Sequence, residues 1–231
     1  MNYPAYIAHM EALTGRRLPA LYHRLAADGM LDWGTGAPDW YKTTYPRLLT
    51  HPPLLFIGND FEIPAADKLP PEIDDDLCFT LKPAYRHRFI AFGQSGAGDA
   101  YAFAYLDDDT AEPCIACIYH DDNSRLLAAD LHDFIYIMLL QANRTWGSED
   151  DDDATYRAKL YAQLESHRPY LKPVHYDNLH AIYARDFIPI HYGRGGAYTV
   201  YRQTTDDEEA QLIATYAPFA RRGETFDPFE D

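Results

Sequence analysis

Two cysteines and a histidine lie close together near the middle of this 231-residue chain and have the residue types of a metal or redox site. They are Cys114 and Cys117, followed by His120. Residues 114–119 form an apolar run that predicts a strand, and residues three apart on a strand face opposite sides of a sheet. No second cysteine pair lies nearby to complete four ligands. We therefore expect both cysteines to be ordinary buried residues, with no metal and no cofactor.

Histidines stand beside acidic residues at three places, where general acid–base chemistry is conceivable. The clusters are His120-Asp121-Asp122, Asp130-His132-Asp133 and His175-Tyr176-Asp177. None has the surroundings of a nucleophile elbow or the spacing of a metal-binding helix. We expect all three to be solvated and assign no catalytic residue. A hydrolase that uses one of them stays a less favoured alternative, and it requires two such groups in one concave pocket.

A glycine-rich turn precedes these clusters and resembles a phosphate-binding loop only superficially. Gly93, Gly96 and Gly98 fall within six residues, and Asp99 follows them. A phosphate loop continues into Lys-Ser/Thr and a helix, whereas a strand follows here. The four residues are therefore predicted to form a structural turn between two strands.

Two acidic runs suggest a different role. Asp107, Asp108 and Asp109 form one, and Asp121 and Asp122 form the other. Such runs are ordinarily solvated turns. The sharper hypothesis is that both lie at the same end of adjacent strands and form one acidic rim, which would speed the association of a basic protein.

The elements that position these residues indicate an α+β fold. Residues 89–92, 100–105 and 114–119 are predicted strands, and residues 100–105 alternate alanine with tyrosine or phenylalanine, so that one face is aromatic and the other flat. Asp130 can cap a helix that follows. Its apolar residues form a single buried stripe, namely Leu131, Phe134, Ile135, Met138 and Leu139.

The order of these motifs resembles the SUKH superfamily of Smi/Knr-like proteins. The resemblance is carried by residues 92–103, by residues 127–135 and by a Leu18-Pro19 start of a short helix that ends at Gly29. It covers residues 5–142 and implies a twisted antiparallel sheet with flanking helices. We accordingly expect a SUKH-like domain over residues 1–147 and a mostly helical extension over residues 148–231 that packs on it.

Further elements are predicted outside the central motif. We expect a helix over residues 4–13, strands over residues 54–57 and 78–81, and an edge strand or loop over residues 187–192. Thr205 and Glu208 have the spacing of a capping box for a last helix. The tail over residues 221–231 is expected to be frayed.

Composition restricts the class of partner. The formal net charge is −16, which disfavours binding to nucleic acid or anionic membranes. The N-terminal residues lack the features of a signal peptide, and no apolar run approaches the ~20 residues of a membrane span. Three cysteines without a framework spacing indicate a reducing cytoplasm.

The SUKH resemblance also implies a function. Bacterial members are largely immunity proteins that bind and neutralise a cognate toxin, often a nuclease, and nucleases are commonly basic. We expect a non-catalytic inhibitor that acts by occlusion, with the toxin as its partner; a regulatory scaffold with several weak partners is the alternative. The candidate partner-binding residues are Tyr101, Tyr105, Asp107, Asp108, Asp109, Tyr119, Asp121 and Asp122.

Overall fold

The computed structural model describes residues 2–34, 38–66, 68, 80–106, 112–145, 152–193, 195–196 and 198–230. The chain forms two compact units. The first unit comprises Met1–Ala37, Asp60–Phe134 and Phe219–Asp231, and the second comprises Pro38–Asn59 and Ile135–Pro218. The predicted boundary between residues 147 and 148 lies outside the described residues. No helix among the described residues combines the length and the apolar character needed to cross a membrane.

The helices begin and end largely where the sequence signals predict. Asn2 caps the first helix by accepting a hydrogen bond from the Ala5 amide, and Gly15 ends it in a left-handed conformation with φ 66°. Thr205 caps the last helix through the Glu208 amide, as its capping-box spacing predicts. The α-helices are α1 (Tyr3–Thr14), α2 (Ala20–Ala27), α3 (Trp40–Thr43), α4 (Tyr45–Leu48), α5 (Leu131–Gln141), α6 (Asp153–His167), α7 (Pro173–Tyr183) and α8 (Asp206–Tyr216). Two 3-10 helices span Pro83–Tyr85 and Arg168–Tyr170.

Within the described ranges the strands form two antiparallel sheets, which confirms the α+β class. Five strands in the order β1-β2-β3-β4-β8 form the larger sheet, and three in the order β5-β7-β6 form the smaller one. The strands are β1 (Phe89–Gln94), β2 (Ala100–Ala104), β3 (Cys114–Ile118), β4 (Ser124–Ala128), β5 (Arg144–Thr145), β6 (Ile188–Tyr192), β7 (Tyr198–Arg202) and β8 (Thr225–Phe226).

One face of the larger sheet carries the aromatic core of the first unit. Phe92 and Phe103 lie with their ring centroids 4.6 Å apart, and the ring of Tyr22 from α2 contacts both. Phe134, at the start of α5, contacts Phe92 edge-on at 5.5 Å. The alternation of large and small residues on β2 therefore positions its aromatic side chains as predicted. Each such aromatic pair is worth about 0.5–1.5 kcal/mol beyond the area that it buries.

The opposite, alanine-lined face is covered by the C-terminal tail of the chain, so the prediction of a frayed tail is wrong. Thr225 and Phe226 pair with β4 as strand β8. Phe229 is buried against the alanines of β2 and bridges to Leu81. Lys82 forms an ion pair of 2.6 Å with Asp227 on the same tail. Because the small side chains of β2 leave room close to the sheet, aromatic residues from the tail pack there.

Helix α5 is buried on more than the single predicted stripe. Leu131, Phe134, Ile135, Met138 and Leu139 are all buried, as predicted, but Tyr136, Ile137 and Leu140 are buried as well. The helix is therefore enclosed on more than one face. The division between the two units falls within this helix, after Phe134.

The second unit contains polar groups that are paired in its interior. Arg202 on β7 is buried and forms ion pairs with Asp206 and Glu209 of α8.

Strand β6 lies at the edge of its sheet, and this position accommodates Pro189. Residues 148–231, which were predicted to be mostly helical, therefore contain the strands β6, β7 and β8 as well as α6, α7 and α8.

The predicted strand over residues 54–57 is wrong, because side chains of α6 bind its backbone. The Leu55 amide donates to His167 Nε2 at 3.0 Å, and the Ile57 amide donates to Gln163 Oε1 at 2.6 Å. Leu55 takes a positive φ of 54°, which a regular strand excludes. The apolar side chains are buried as in a strand, but polar side chains replace the partner strand.

The surroundings of the buried Tyr22 hydroxyl predict how its removal changes the stability of the protein. It has no hydrogen-bond partner among the described residues, whereas the buried hydroxyl of Tyr6 donates to the Ala91 carbonyl at 2.9 Å. We expect Tyr22→Phe to leave stability unchanged or to raise it by about 1 kcal/mol, and the matched control Tyr6→Phe to lower it by about 1 kcal/mol. Urea denaturation measures both. A loss of stability in Tyr22→Phe equal to that in Tyr6→Phe would contradict the assignment.

His167 predicts a pH dependence of stability. Burial lowers its pKa from 6.5 to about 4, because the folded protein disfavours the charged imidazolium. Below pH 6.5 the unfolded chain therefore binds a proton that the folded chain does not, and stability falls as the pH falls towards 4. We expect this residue to cost wild type about 2 kcal/mol between pH 7 and pH 5, a loss that His167→Gln does not show. Parallel losses in both proteins, measured by urea denaturation, would refute this origin.

Candidate binding surface

Two turns lie side by side at one end of the larger sheet. Strands β2 and β3 pair so that Ala100 faces Ile118, and the turn over residues 95–99 therefore adjoins the turn over residues 119–123. A third segment joins them, because Glu62 and Gln94 exchange backbone hydrogen bonds of 2.8 and 2.9 Å at the edge of β1. We call these three segments the two-turn surface, with the third taken as residues 60–62.

Asp99 holds the two turns together. It is buried, and its Oδ2 accepts a hydrogen bond of 3.0 Å from the Ser95 hydroxyl within its own turn. Its Oδ1 lies 2.7 Å from Nδ1 of His120 in the other turn. The Ser95 hydroxyl also accepts from the Asp99 amide at 3.0 Å. Charge-assisted contacts from a buried carboxylate are among the stronger hydrogen bonds, so this arrangement restricts both turns.

Asp60 connects the third segment to the same turn. Its Oδ1 accepts a hydrogen bond of 2.7 Å from the Gly96 amide, and its carbonyl accepts one of 3.0 Å from the Tyr101 hydroxyl. Gly93 lies inside β1 rather than in the turn, at a bulge opposite Tyr101. A Cβ on Gly93 would lie 2.5 Å from the ring of Phe61, which explains the glycine there. Gly98, with φ 95°, is a true turn glycine, as predicted.

The exposed groups of the two-turn surface are mainly acidic. Asp60, Glu62, Asp121 and Asp122 are exposed, whereas Asp99 is buried beneath them. Tyr101 and Tyr119 are half-buried and add aromatic area beside the carboxylates. This combination provides negative charge and aromatic contact area to a partner.

The predicted acidic rim stays a prediction, because one of its two acidic runs falls outside the described residues. Asp107, Asp108 and Asp109 lie outside the described residues, but the strand ends that flank them, Ala104 and Cys114, pair with each other. This pair lies at the end of the sheet opposite to the Ala100–Ile118 pair, because successive turns of an antiparallel sheet alternate between its ends. Asp60 and Glu62, which no sequence motif indicated, accompany Asp121 and Asp122 on the two-turn surface.

Tyr105, which was predicted to contact a partner, is instead a core residue. Its side chain is 2 % exposed, and its hydroxyl donates to the Arg17 carbonyl at 2.7 Å. It follows β2 at the end of the sheet remote from Ala100. Tyr119, Asp121 and Asp122 remain candidate contacts on the two-turn surface, and Tyr101 remains one beside it, where its hydroxyl donates to the Asp60 carbonyl.

The side chains of the two-turn surface lack the order of a catalytic triad. Asp99, His120 and Asp121 are close enough to one another to suggest a metal site. The contact between Asp99 Oδ1 and His120 Nδ1, however, occupies that carboxylate oxygen and that ring nitrogen. Ser95 donates to Asp99 rather than to the imidazole, so His120 is not placed to activate it as a nucleophile.

The two cysteines lie on opposite faces of β3, as their spacing predicts. Cys114 packs among the alanines under the C-terminal tail, whereas Cys117 is buried beside Tyr101 on the aromatic face. Burial raises the pKa of the Cys117 thiol to about 12, and the Tyr119 hydroxyl is hydrogen-bonded to it. A thiol with such a pKa stays protonated at neutral pH and is a poor nucleophile.

Two of the predicted solvated clusters are partly buried. Asp133 is buried at the start of α5, while Asp130 caps this helix by accepting from the Asp133 amide at 2.8 Å. His175 is buried in the second unit, where it stacks on Tyr136 with ring centroids 4.5 Å apart. Its Nε2 lies 2.8 Å from the Tyr216 carbonyl oxygen. These groups support packing within their units.

Because Asp99 connects the two turns, we expect its substitution to lower the stability of the protein more than substitution of Asp121 in the adjacent turn. Asp99→Ala removes the contacts to Ser95 and His120 and leaves polar groups unpaired, so we expect a loss of about 1–3 kcal/mol in the free energy of unfolding. Asp121→Ala, at an exposed position of the adjacent turn, is expected to change it by less than about 0.5 kcal/mol. Urea denaturation of both variants decides the matter. Equal effects would show that Asp99 does not hold the turns.

Comparison of the chain with protein-family models, with curated proteins and with solved structures finds no match in any of the three.

Proposed function

We propose that this chain is a non-catalytic immunity protein of the SUKH type that binds a cognate secreted toxin and neutralises it by occlusion. The observation that carries the proposal is the group of exposed carboxylates on the two-turn surface, namely Asp60, Glu62, Asp121 and Asp122. The motif resemblance described above supplies the immunity class. The proposed site of action is the cytoplasm.

Preorganisation of the two-turn surface supports a binding role. Asp99 joins the two turns, and Asp60 joins the third segment to them, before any partner is present. A surface whose backbone is already restricted loses little conformational entropy on association. Tight and rapid inhibition of a toxin benefits from such a surface.

Charge supports a basic partner. The chain has a formal net charge of −16, and the exposed groups of the two-turn surface add a local concentration of carboxylates. Complementary charge steers association and can raise its rate by orders of magnitude at low salt. Nucleases hold phosphates with basic residues, so a basic nuclease fits this surface best.

The geometry around His120 favours binding over hydrolysis. Its Nδ1 is engaged by Asp99, and the nearby Ser95 hydroxyl donates to the same carboxylate. An active nucleophile requires its hydroxyl to contact the general base. The hydrolase alternative therefore receives no support from this cluster.

Neutralising the surface charges tests the proposal. The variant Asp60→Asn, Glu62→Gln, Asp121→Asn, Asp122→Asn retains the shapes of these side chains and removes four negative charges. The partner in this test is the product of the gene immediately upstream, co-purified with the chain. We expect its association with the variant at low salt to slow by about tenfold or more, and the salt dependence of the rate to flatten. Stopped-flow or surface-plasmon measurements over a salt series provide the rates.

A matched control removes four exposed acids from the second unit, by Asp39→Asn, Asp153→Asn, Asp177→Asn and Asp207→Asn. It changes the net charge equally, so any difference between the two variants reports the position of the charges. We expect the control to slow association by less than about threefold, through net charge alone. Equal rates in the two variants would remove the two-turn surface from the proposal, and several weak partners in place of one would favour the scaffold alternative.

A further inference from the structure

A cleft of about 370 Å³ lies in the first unit, apart from the residues of the two-turn surface. The start of α1, the segment that follows α2 and residues 63–66 contribute to its walls. Tyr3, Trp33 and Asp32 line it, together with apolar residues such as Leu31 and Ile63. Among the described residues, its lining holds one carboxylate and no lysine, arginine or histidine.

The aromatic walls of the cleft are held in place by contacts within the first unit. The Tyr3 hydroxyl donates a hydrogen bond to the Pro64 carbonyl oxygen, and the Tyr3 ring packs edge-on against Tyr6 with centroids 6.5 Å apart. The Trp33 ring packs edge-on against Phe61 at 6.4 Å. The cleft therefore offers ordered aromatic surface without a rearrangement of its walls.

The carboxylate of Asp32 lies close to this aromatic surface. Its Oδ1 accepts a hydrogen bond of 2.8 Å from the Gly34 amide, which orients the side chain. Burial raises the pKa of Tyr3, and the negative charge of Asp32 adds to that rise, which places the two groups within electrostatic reach. Asp32 itself is exposed and can meet a ligand that enters from solvent.

Aromatic rings beside a carboxylate, with no basic side chain among the described lining residues, have the chemistry of a cation site. A cation gains both from the ring quadrupoles and from the carboxylate. An anionic ligand would be repelled by Asp32, and a purely apolar one would desolvate it without compensation. We propose that this cleft binds an organic cation, a guanidinium or primary ammonium group, through Asp32 and the aromatic side chains of Tyr3 and Trp33.

Such a cation has two sources, a basic side chain of a protein partner or a free amine. The volume lies near the lower end of the ~300–1,000 Å³ range of small-ligand pockets, which suits one side chain or a small amine. The inference rests on the cleft alone and does not depend on the proposed immunity function.

Titration with a capped amino acid tests the inference. The probe is N-acetyl-arginine methylamide, and its citrulline analogue is the matched neutral control, since it has nearly the same shape without the charge. The readout is the indole N–H resonance of Trp33 in ¹⁵N-labelled protein, assigned from its absence in Trp33→Phe. We expect a saturable shift with a Kd of about 1–10 mM for the arginine probe and none for citrulline. An equal response to both probes, or no saturable shift with arginine, overturns the inference.

Two variants locate the binding. Asp32→Asn keeps the shape of the side chain and an oxygen that can accept from Gly34, so we expect it to fold and to weaken arginine binding about fivefold or more. Asp28→Asn, an exposed acid of the same unit that does not line the cleft, is expected to stay within about twofold of wild type. Tyr3→Leu keeps the carboxylate and removes a ring, and weaker binding is expected there too. Unchanged affinity in both Asp32→Asn and Tyr3→Leu overturns the assignment.

A comparison of probes separates the two sources. A capped pentapeptide, Gly-Gly-Arg-Gly-Gly, that binds at least as tightly as the capped amino acid assigns the cleft to a partner's side chain. Tighter binding of putrescine than of the peptide assigns it to a free amine. The toxin is absent from these titrations, so their failure leaves the proposed immunity function unaffected, and failure of toxin binding leaves the cation site unaffected.

Discussion

The buried carboxylate of Asp99 is the constraint on which the candidate binding surface depends. It joins the hydroxyl of Ser95 in one turn to the imidazole of His120 in the next, across paired strands. A buried carboxylate without such partners would be strongly destabilising, so its burial and its contacts require each other. The exposed acids Asp121 and Asp122 take their positions from the turn that this contact restricts. Charge is thus divided between a buried residue that orders the surface and exposed residues that define its electrostatic character.

The larger sheet is covered on both faces by its own chain, which leaves the ends of its strands as places for recognition. The aromatic face packs against α1, α2 and the start of α5, and the alanine face packs against Phe229 and its neighbours in the tail. The flat face of β2 is therefore closed to a partner. The turns at the strand ends, together with the cleft beside Tyr3 and Trp33, remain accessible to one.

Local patterns predicted β1, β2 and β3, the opposite faces of Cys114 and Cys117, and the capping of α8, because each depends on neighbours in sequence. That the Ala104–Cys114 pair and the turn over residues 119–123 lie at opposite ends of the sheet could also be predicted from the sequence, since successive hairpin turns alternate between sheet ends. The hydrogen bond from the Leu55 amide to His167 could not be predicted from the sequence. The two residues lie 112 positions apart, and no local period encodes the contact. The same holds for the return of the C-terminal tail to β4, and for Asp60, which reaches the turn of residues 95–99 from far upstream.

The most direct test of the account is hydrogen–deuterium exchange of the chain, alone and in complex with the product of the gene immediately upstream. We predict a stable one-to-one complex in which the amides of residues 95–99 and 119–123 gain protection from exchange. We predict only small changes around β6 and β7 of the second unit. Absence of a complex, or protection confined to segments other than the two turns, would contradict the claim that this acidic surface recognises a toxin.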